Sequence, residues 1–299
     1  MHIDFVTLQL FATVAEQGNM AKAAETRNIV PSAVSKRISD LEHALRVPLL
    51  HRKSRGVELT AAGEVAYKYA RNILRLVERF EGEMSEFSEG DKGRVRIAAC
   101  PSSITQFLPQ NLAGYIDANP LVKVDLVEEV TDVILRMVRD GLADIGVTSG
   151  LVEAAELEVT PYRQDRLAVL APLSHPIAVF DSVSFEETLR YRQVGLQQGS
   201  SIQRLLVRKA EELGRSINFS VSVMGFDGVR KMVEAGLGIT ILPKGSIEAN
   251  VDPERFKIIN LKDEWASRTL ELVVREQKSL PLVARHLLEH LAQAEEKHG

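Results

Sequence analysis

Residues 20–59, MAKAAETRNIVPSAVSKRISDLEHALRVPLLHRKSRGVEL, decide the fold of the N-terminal part of this chain. Asn19 stands directly before an alanine-rich run, which predicts a short helix capped by the Asn19 side chain. Pro31 suits the first position of a following helix, where its missing N–H costs nothing. From Val34 to Leu45 apolar residues recur at helical spacing. The stretch therefore predicts two helices joined by a tight turn, with one apolar face each.

A basic hairpin is predicted immediately afterwards, at residues 49–59, with Gly56 supplying the flexibility of its turn. Its tip carries Arg52, Lys53 and Arg55. Over residues 20–55 the chain has eight Lys or Arg and three acidic residues, a net charge of +5, whereas the whole chain carries −4. Positive charge is thus concentrated in one segment, where a phosphate backbone could lie, although a solvated charged turn is an alternative.

The outward face of the helix that begins at Pro31 carries small hydroxyls and one lysine. Its members are Ser32, Ser35, Lys36 and Ser39. Such side chains allow a helix to seat deeply in the major groove of DNA and to contact bases and phosphates. A solvated helix face is the alternative, but the neighbouring small-residue helix and basic hairpin favour a winged helix-turn-helix that binds double-stranded DNA.

A long helix is predicted from Thr60, its capping residue, to about residue 89. Its apolar stripe follows spacings of three and four: Val65, Tyr69, Ile73, Leu76, Phe80, Met84 and Phe87. This length exceeds what a small domain can cover, so the stripe favours pairing with the same helix of a second chain. A helix buried in the core of its own chain is the alternative. Residues 88–93 form a short polar linker and the predicted domain boundary.

The sequence resembles the LysR-type transcriptional regulators. The residues that carry the resemblance are Phe11, Ala15-Glu16-Gln17-Gly18, Ala23-Ala24, Ser32-Ala33-Val34-Ser35, Ile38, Leu41-Glu42, Val47-Pro48-Leu49, Arg52, Arg55-Gly56, Leu59-Thr60 and Ala62-Gly63. The match is dense over about the first 65 residues and sparser beyond. It implies a DNA-binding regulator that responds to a small-molecule effector and assembles as a dimer of dimers.

Three positions depart from the family pattern. Pro31 stands where relatives have a polar residue able to reach bases, which shifts the expected readout toward Ser32, Ser35, Lys36 and the hairpin. Arg46 replaces a helix-ending glycine, and Leu50 replaces a common phenylalanine. An arginine with positive φ is unusual, so an altered entry to the hairpin is expected.

Beyond residue 93, predicted strands and helices alternate. The strands are expected at 95–99, 122–127, 143–147, 167–171, 193–196, 219–223, 239–242 and 269–274, and helices at 101–118, 132–140, 201–213, 227–235 and 280–296. This rhythm predicts an α/β effector domain over 91–299, similar to periplasmic binding proteins. Its two lobes would comprise about 91–161 with 268–299, and 162–267. The DNA-binding domain would be 1–59 and the linker helix 60–90.

Ligands of such sheets bind beyond the carboxyl ends of strands, at helix N-termini. This rule gives the candidate effector-binding residues Ser102, Ser103, Thr131, Thr148, Ser149, Gln198, Gly199, Ser200 and Ser201. Hydroxyls and free N–H groups in such places bind anions, which favours an anionic or carboxylate effector. Each residue could equally be an ordinary helix cap. The family resemblance adds weight at Ser102, Ser103, Thr131, Ser200 and Ser201.

Cysteine content and hydropathy restrict which other kinds of site and of protein the sequence allows. The single cysteine, Cys100, excludes an internal disulfide and a cysteine-based zinc site; it is expected to be a small buried residue, with a reactive thiol as the alternative. No apolar run is long enough to cross a membrane, and the N-terminus does not resemble a signal peptide, so a cytoplasmic location is expected. We expect no cofactor, no metal and no catalytic residues. A solute receptor without DNA function is the alternative reading.

Overall fold

The structure, a computed structural model, describes residues 3–53, 56–89, 93–149, 156–249 and 251–293. The chain divides into two compact units: the first comprises Met1–Gly90 together with Asp140–Leu142, and the second comprises Asp91–Arg139 and Ala143–Gly299. In its described residues the first unit contains α1 (Phe5–Gln17), α2 (Met20–Thr26), α3 (Pro31–Leu45), β1 (Leu50–Lys53), β2 (Gly56–Leu59) and α4 (Ala61–Glu89). These elements are those of the predicted winged helix-turn-helix and long helix.

The first unit is held together by a small apolar core. Phe11 of α1, Val34 and Ile38 of α3, and Leu49 before β1 are at most 1% exposed. The Asn19 side chain caps α2 as predicted, because its Oδ1 accepts from the backbone N–H of Ala21 at 2.8 Å and of Lys22 at 3.1 Å. Burial of the apolar faces of α1 and α3 therefore fixes the outward face of α3.

The hairpin is anchored to the helices at two points. The Glu42 carboxylate of α3 accepts hydrogen bonds from the backbone N–H of Leu49 at 2.7 Å and of Leu50 at 3.1 Å. Gly56 adopts φ +135°, and a Cβ at this position would lie 2.3 Å from the carbonyl oxygen of Gly18. The hairpin is thus fixed relative to α1 and α3 by contacts that tolerate little change.

Arg46 ends α3 in the left-handed conformation, with φ 56° and ψ 31°. An L-residue with a Cβ pays about 1–2 kcal/mol for this conformation, which glycine does not. We expect Arg46→Gly to raise the free energy of unfolding by about 0.5–1 kcal/mol, the gain being reduced by the greater freedom of glycine in the unfolded chain. Calorimetric melts would measure the change. Arg46→Ala keeps the Cβ and should show no gain, so an equal gain in both variants would assign the effect to the lost charge.

The long helix α4 has two different faces. Ala70 and Leu74 are buried, and Ala70 belongs to the core of the first unit. The predicted stripe is exposed instead: Val65, Tyr69, Ile73, Leu76, Phe80 and Met84 are each at least 45% accessible. The side chain of Phe87 lies outside the described side chains. The described part of the stripe is therefore not a core of its own chain.

The second unit is a mixed α/β structure. In chain order its described elements are β3 (Gly93–Ala99), α5 (Pro101–Gln106), α6 (Leu108–Ala118), β4 (Val122–Glu128), α7 (Thr131–Arg139), β5 (Ile145–Ser149), β6 (Glu158–Pro172), β7 (Ser182–Val183), α8 (Phe185–Thr188), β8 (Gln193–Leu196), α9 (Ser201–Glu212), β9 (Phe219–Val223), α10 (Phe226–Glu234), β10 (Thr240–Pro243), α11 (Lys244–Glu248), β11 (Phe256–Leu261), β12 (Ser267–Val274) and α12 (Leu282–Gln293).

These strands form two lobes. The first has the order β4-β3-β5-β12-β6, with β4, β3 and β5 parallel and β12 antiparallel. In the second lobe β6 pairs with β10 and β11, and parallel β8 and β9 join through a bridge between Gln193 and Ile239. Each lobe has its own apolar core, one around Ile97 and Ile145 and the other around Val169 and Ile259.

Strand β6 belongs to both lobes. Its first part, Glu158–Arg166, pairs with β12, and its second part, from Leu167 to Pro172, pairs with β10 and β11. The sequence located only 167–171 as a strand, so this element is much longer than predicted. Tyr162 packs in the core of the first lobe. The boundaries given above for domains and lobes stay predictions.

One predicted helix was wrong in detail. Residues 101–118 form two helices, α5 and α6, which meet at Phe107 with φ −128° and ψ −46°. Pro109 lies at the start of α6, where it cannot donate a hydrogen bond to the preceding turn. The sequence also missed β7, β11 and the short helices α8 and α11. No helix in the described ranges combines the length and apolar character needed to cross a membrane.

Candidate functional site

The outward face of α3 presents the predicted hydroxyls together with one arginine of the hairpin. Ser32, Lys36 and Ser39 are exposed and Ser35 is partly so. The Arg52 guanidinium of β1 donates to Oγ of Ser39 at 3.3 Å and to Oγ of Ser35 at 3.5 Å. Helix and hairpin therefore form one continuous polar surface, in which a cation lies beside two hydroxyls that can each donate and accept.

The other cations of this region differ in their partners. Lys53 pairs with Glu58 on the opposite strand, so part of the positive charge of the hairpin is balanced within the hairpin itself. Arg37 pairs with Asp4 at 3.3 Å and also donates to Thr7 Oγ1 at 3.0 Å. Within the described part of the chain Lys36 has neither an ion pair nor a side-chain hydrogen bond. Arg55 lies outside the described residues.

In the second unit a cavity of about 200 Å³ opens between the lobes. It lies where the strand-end rule placed it, because it is lined by the ends of β3, β4, β8 and β9 and by the helices that follow them. The lining residues are Cys100, Pro101, Ser102, Glu128, Val130, Thr131, Leu196, Gln197, Ser200, Ser201, Ile202, Met224, Gly225 and Phe226. Helices α7, α9 and α10 all begin at this cavity.

Only some of the candidate effector-binding residues line this cavity. Ser102, Thr131, Ser200 and Ser201 line the cavity. Ser103 and Thr148 are completely buried and do not line it, and Gln198 and Gly199 are also absent from its wall, where the neighbouring Gln197 lies. Thr131 Oγ1 and Thr148 Oγ1 are buried without a hydrogen-bond partner. Of these two hydroxyls, only that of Thr131 borders the cavity, where a ligand could pair with it.

The two serines at the start of α5 differ in their hydrogen bonds. Ser103 Oγ donates to the carbonyl oxygen of Cys100 at 2.8 Å and thereby closes the first turn of the helix. Ser102 Oγ accepts from Nη2 of Arg268 at 3.4 Å. Arg268 in turn forms a buried ion pair with Asp165, with Nε 2.8 Å from Oδ1 and Nη2 also on Oδ2.

Two further contacts join the lobes beside the cavity. Ser149 Oγ at the end of β5 lies 2.6 Å from Ser201 Oγ of α9, and Arg204 of α9 pairs with Asp132 of α7. A larger cavity, of about 920 Å³, lies beyond these contacts; Thr131, Ser201 and Arg268 are among its lining residues. The predicted site residue Ser149 borders this second cavity rather than the first.

Cys100 is buried at the end of β3, with its Sγ 3.7 Å from Ser103 Oγ. Burial raises the pKa of this thiol, so less of it is ionised at neutral pH than of an exposed cysteine. The structure favours the small buried residue over the reactive thiol. In the described ranges no group of three or more His, Cys, Asp or Glu side chains is arranged to hold a metal ion.

Several lining residues were missed from the sequence. Met224, Gly225 and Phe226 follow β9, and Glu128 ends β4, so the strand-end rule applied to every strand would have found them. Arg268 and Asp165 left no such signal, because they are 103 positions apart and meet only through the pairing of β12 with β6.

Comparison with known proteins accounts for both units. The model of the LysR substrate binding domain matches residues 88–296. The model of the bacterial regulatory helix-turn-helix protein of the lysR family matches residues 5–64. The chain belongs to the LysR family of transcriptional regulators. This LysR-type regulator thus combines a DNA-binding domain with an effector-binding domain, which confirms the predicted family and fold class.

Relatives and solved structures agree with this assignment. The transcriptional regulator CysL of Bacillus subtilis (strain 168) is 26% identical, covering 89% of each chain, and a probable nitrogen assimilation transcriptional activator of Synechococcus elongatus is 29% identical over 93% of this chain and 91% of its own. Full-length CbnR complexed with its target DNA has a TM-score of 0.71 at 22% identity, covering 97% of this chain and 99% of CbnR. A full-length OxyR variant from Pseudomonas aeruginosa has a TM-score of 0.74 at 19% identity, covering 98% of this chain and 94% of its own. The B. subtilis and S. elongatus relatives are named as a transcriptional regulator and a probable transcriptional activator, not as enzymes.

Proposed function

We propose that this LysR-type regulator recognises sequence in promoter DNA through the outward face of α3 and the hairpin. The residues assigned to the contact are Ser32, Ser35, Lys36, Ser39, Arg52, Lys53 and Arg55. The arrangement of Arg52 beside Ser35 and Ser39 carries this proposal, because it joins both elements into one surface of donors and acceptors. The DNA complex of CbnR, which shares this fold, supports it. Access to chromosomal DNA would place the protein in the cytoplasm.

Fluorescence anisotropy with duplex DNA from the protein's own promoter region, at several salt concentrations, tests this proposal. Specific binding should weaken as salt rises, since phosphate contacts release counterions. A scrambled duplex of equal length serves as the control. Equal affinity for both duplexes would contradict sequence-specific recognition, and no binding at low salt would favour the solute receptor without DNA function.

We further propose that the cavity between the lobes binds a small anionic effector, such as a carboxylate. The single observation that carries this is the unpartnered, buried Thr131 hydroxyl at a cavity where α7, α9 and α10 begin. Helix N-termini present free N–H groups and partial positive charge to an anion. In α9 and α10 no side chain caps these groups. Leu196, Met224 and Phe226 would contact the apolar part of the effector.

Replacing Thr131 by valine should weaken effector binding about ten- to a hundredfold, the range for one hydrogen bond to a charged group. Ser102→Ala should have a similar effect. A thermal-shift screen with acetate, succinate and phenylacetate, each compared with its neutral amide, would measure the loss through ligand-induced stabilisation. Thr105→Val is the matched control, because Thr105 Oγ1 donates to the Pro101 carbonyl oxygen at 2.9 Å and does not line the cavity. Equal stabilisation of Thr131→Val and the parent protein would contradict the assignment.

We propose that the protein forms a dimer through the exposed stripe of α4, and that two dimers form a tetramer, as the family resemblance implies. Six large apolar side chains exposed on one helix face support a second copy as the partner. We expect Phe80→Glu to convert the dimer to monomers at micromolar concentration, because a charge would be buried in an apolar seam. Sedimentation velocity measures this change. Glu64→Lys, on the polar side of α4, should leave the assembly intact, and an intact Phe80→Glu dimer would exclude this interface.

A further inference from the structure

Arg268 and Asp165 form a buried ion pair at the junction of the two lobes. Arg268 lies on β12 directly opposite Asp165 on β6, and their side chains are 5% and 0% exposed. Just beyond Asp165, at Leu167, strand β6 leaves its pairing with β12 and enters the sheet of the second lobe. The two-pronged contact between guanidinium and carboxylate holds the arginine plane in a fixed orientation.

This orientation brings the arginine against Ser102, a residue that lines the effector cavity. Nη2 of Arg268, already bound to Asp165, also lies 3.4 Å from Ser102 Oγ. An arginine side chain has donors and no acceptor, so the serine oxygen must be the acceptor in this contact. The serine proton is therefore directed elsewhere. Among the described residues it has no protein acceptor, and Ser102 lines the cavity.

The neighbouring serine shows that this arrangement is not general for the start of α5. Ser103 uses its proton within the helix, on the carbonyl oxygen of Cys100, and does not reach the cavity. Of these two adjacent serines, only Ser102 both accepts a hydrogen bond from a charged donor and lines the cavity. The difference follows from Arg268, since Ser102 has no other side-chain hydrogen bond in the described part of the chain.

We propose that Arg268, held by Asp165, is a positioning residue that makes Ser102 a hydrogen-bond donor toward the effector and so selects an acceptor, such as a carboxylate oxygen, at that point. Accepting from a cation polarises the Ser102 hydroxyl and strengthens the bond that it donates. A ligand that presents an N–H there meets a donor and leaves both groups unpaired, which is costly in a buried site. This inference rests on the proposed effector site and adds the group that sets its hydrogen-bond polarity.

A thiol placed at position 102 tests the inference without any ligand. In a Cys100→Ala background, Ser102→Cys is prepared with the native pair and with the neutral pair Asp165→Asn and Arg268→Gln. A cationic donor stabilises a thiolate, so the native pair should lower the thiol pKa by about one unit and speed alkylation by iodoacetamide near neutral pH about tenfold. A purely structural role of Arg268 would leave the pH profile of alkylation unchanged.

Two further variants serve as controls for this experiment. Thr105→Cys in the same backgrounds should give profiles that do not depend on the pair, because Thr105 is exposed on the same helix and does not line the cavity. If the neutral pair prevents folding, Arg268→Lys replaces it, since an ammonium paired with Asp165 lacks the second arm that reaches Ser102; its profile should resemble that of the neutral pair.

The outcomes separate this inference from the proposed function. If the pH profile of alkylation of Ser102→Cys is the same with the native pair and with the neutral pair, the positioning role of Arg268 is overturned, whatever the protein binds. Different profiles, together with stabilisation of the parent protein by a carboxylate of the panel, support both proposals. Different profiles without stabilisation by any of the acids leave the positioning role intact and overturn the anionic effector.

Discussion

Replacing Lys36 by alanine should weaken binding to promoter DNA about tenfold at moderate salt and reduce the slope of log affinity against log salt by about one. Lys36 is exposed on the outward face of α3 and, in the described part of the chain, has no ionic partner that would have to be given up on binding. Its full charge is therefore available to a phosphate. Fluorescence anisotropy with one duplex at four or more salt concentrations measures both quantities.

Arg37 provides the matched control, because it is the next residue and carries the same charge. Its guanidinium is engaged by Asp4 and Thr7. We expect Arg37→Ala to leave the affinity, the salt slope and the stability nearly unchanged, because the ion pair that it removes is exposed to solvent. Equal losses of affinity in the two variants would show that bulk charge, rather than the outward face of α3, attracts the DNA.

The fold of the first unit could be predicted closely because its signals are local. The Asn19 cap, Pro31 at a helix start and the spacing from Val34 to Leu41 each depend on neighbouring residues only. The second unit was predicted in rhythm but less well in its limits. Strand β6 is long because it pairs with different partners along its length, and no local pattern in the sequence encodes that exchange.

The candidate effector site was also predicted only in part from the sequence. The strand-end rule found Ser102, Thr131, Ser200 and Ser201, since the geometry of parallel sheets fixes where such residues meet. The rule could not tell Ser102 from Ser103, because the difference lies in the direction of one hydroxyl. It depends on Arg268, which is 166 positions away in the chain.

The hairpin gives a second example. Its basic residues look alike in sequence, yet Arg52 binds the serines of α3 while Lys53 binds Glu58 across the strands. Alternation of side chains along β1 sends adjacent residues to opposite faces. The charge count therefore located the basic segment, and strand geometry decides which of its cations lies beside the serines of α3.

Arg268→Gln should lower the free energy of unfolding of the second unit by about 3–5 kcal/mol, the usual result of removing one partner from a buried ion pair. The variant leaves the Asp165 carboxylate, whose side chain is fully buried, without its counter-charge. The chain's single tryptophan, Trp265, lies in this unit and packs edge-on against Phe185 with ring centroids 5.2 Å apart. Urea titration followed by tryptophan fluorescence therefore reports the unfolding of this unit.

The neutral pair Asp165→Asn with Arg268→Gln separates the cost of an unpaired charge from the loss of packing. Because both charges disappear together and an amide can hydrogen-bond to an amide, the double variant should recover most of the stability that Arg268→Gln loses. If it is as unstable as the single variant, the two side chains matter chiefly for filling space between β6 and β12. If the pair serves to orient Ser102 rather than to stabilise the fold, the neutral pair should restore stability. It should not restore the pH profile of alkylation that Ser102→Cys shows with the native pair.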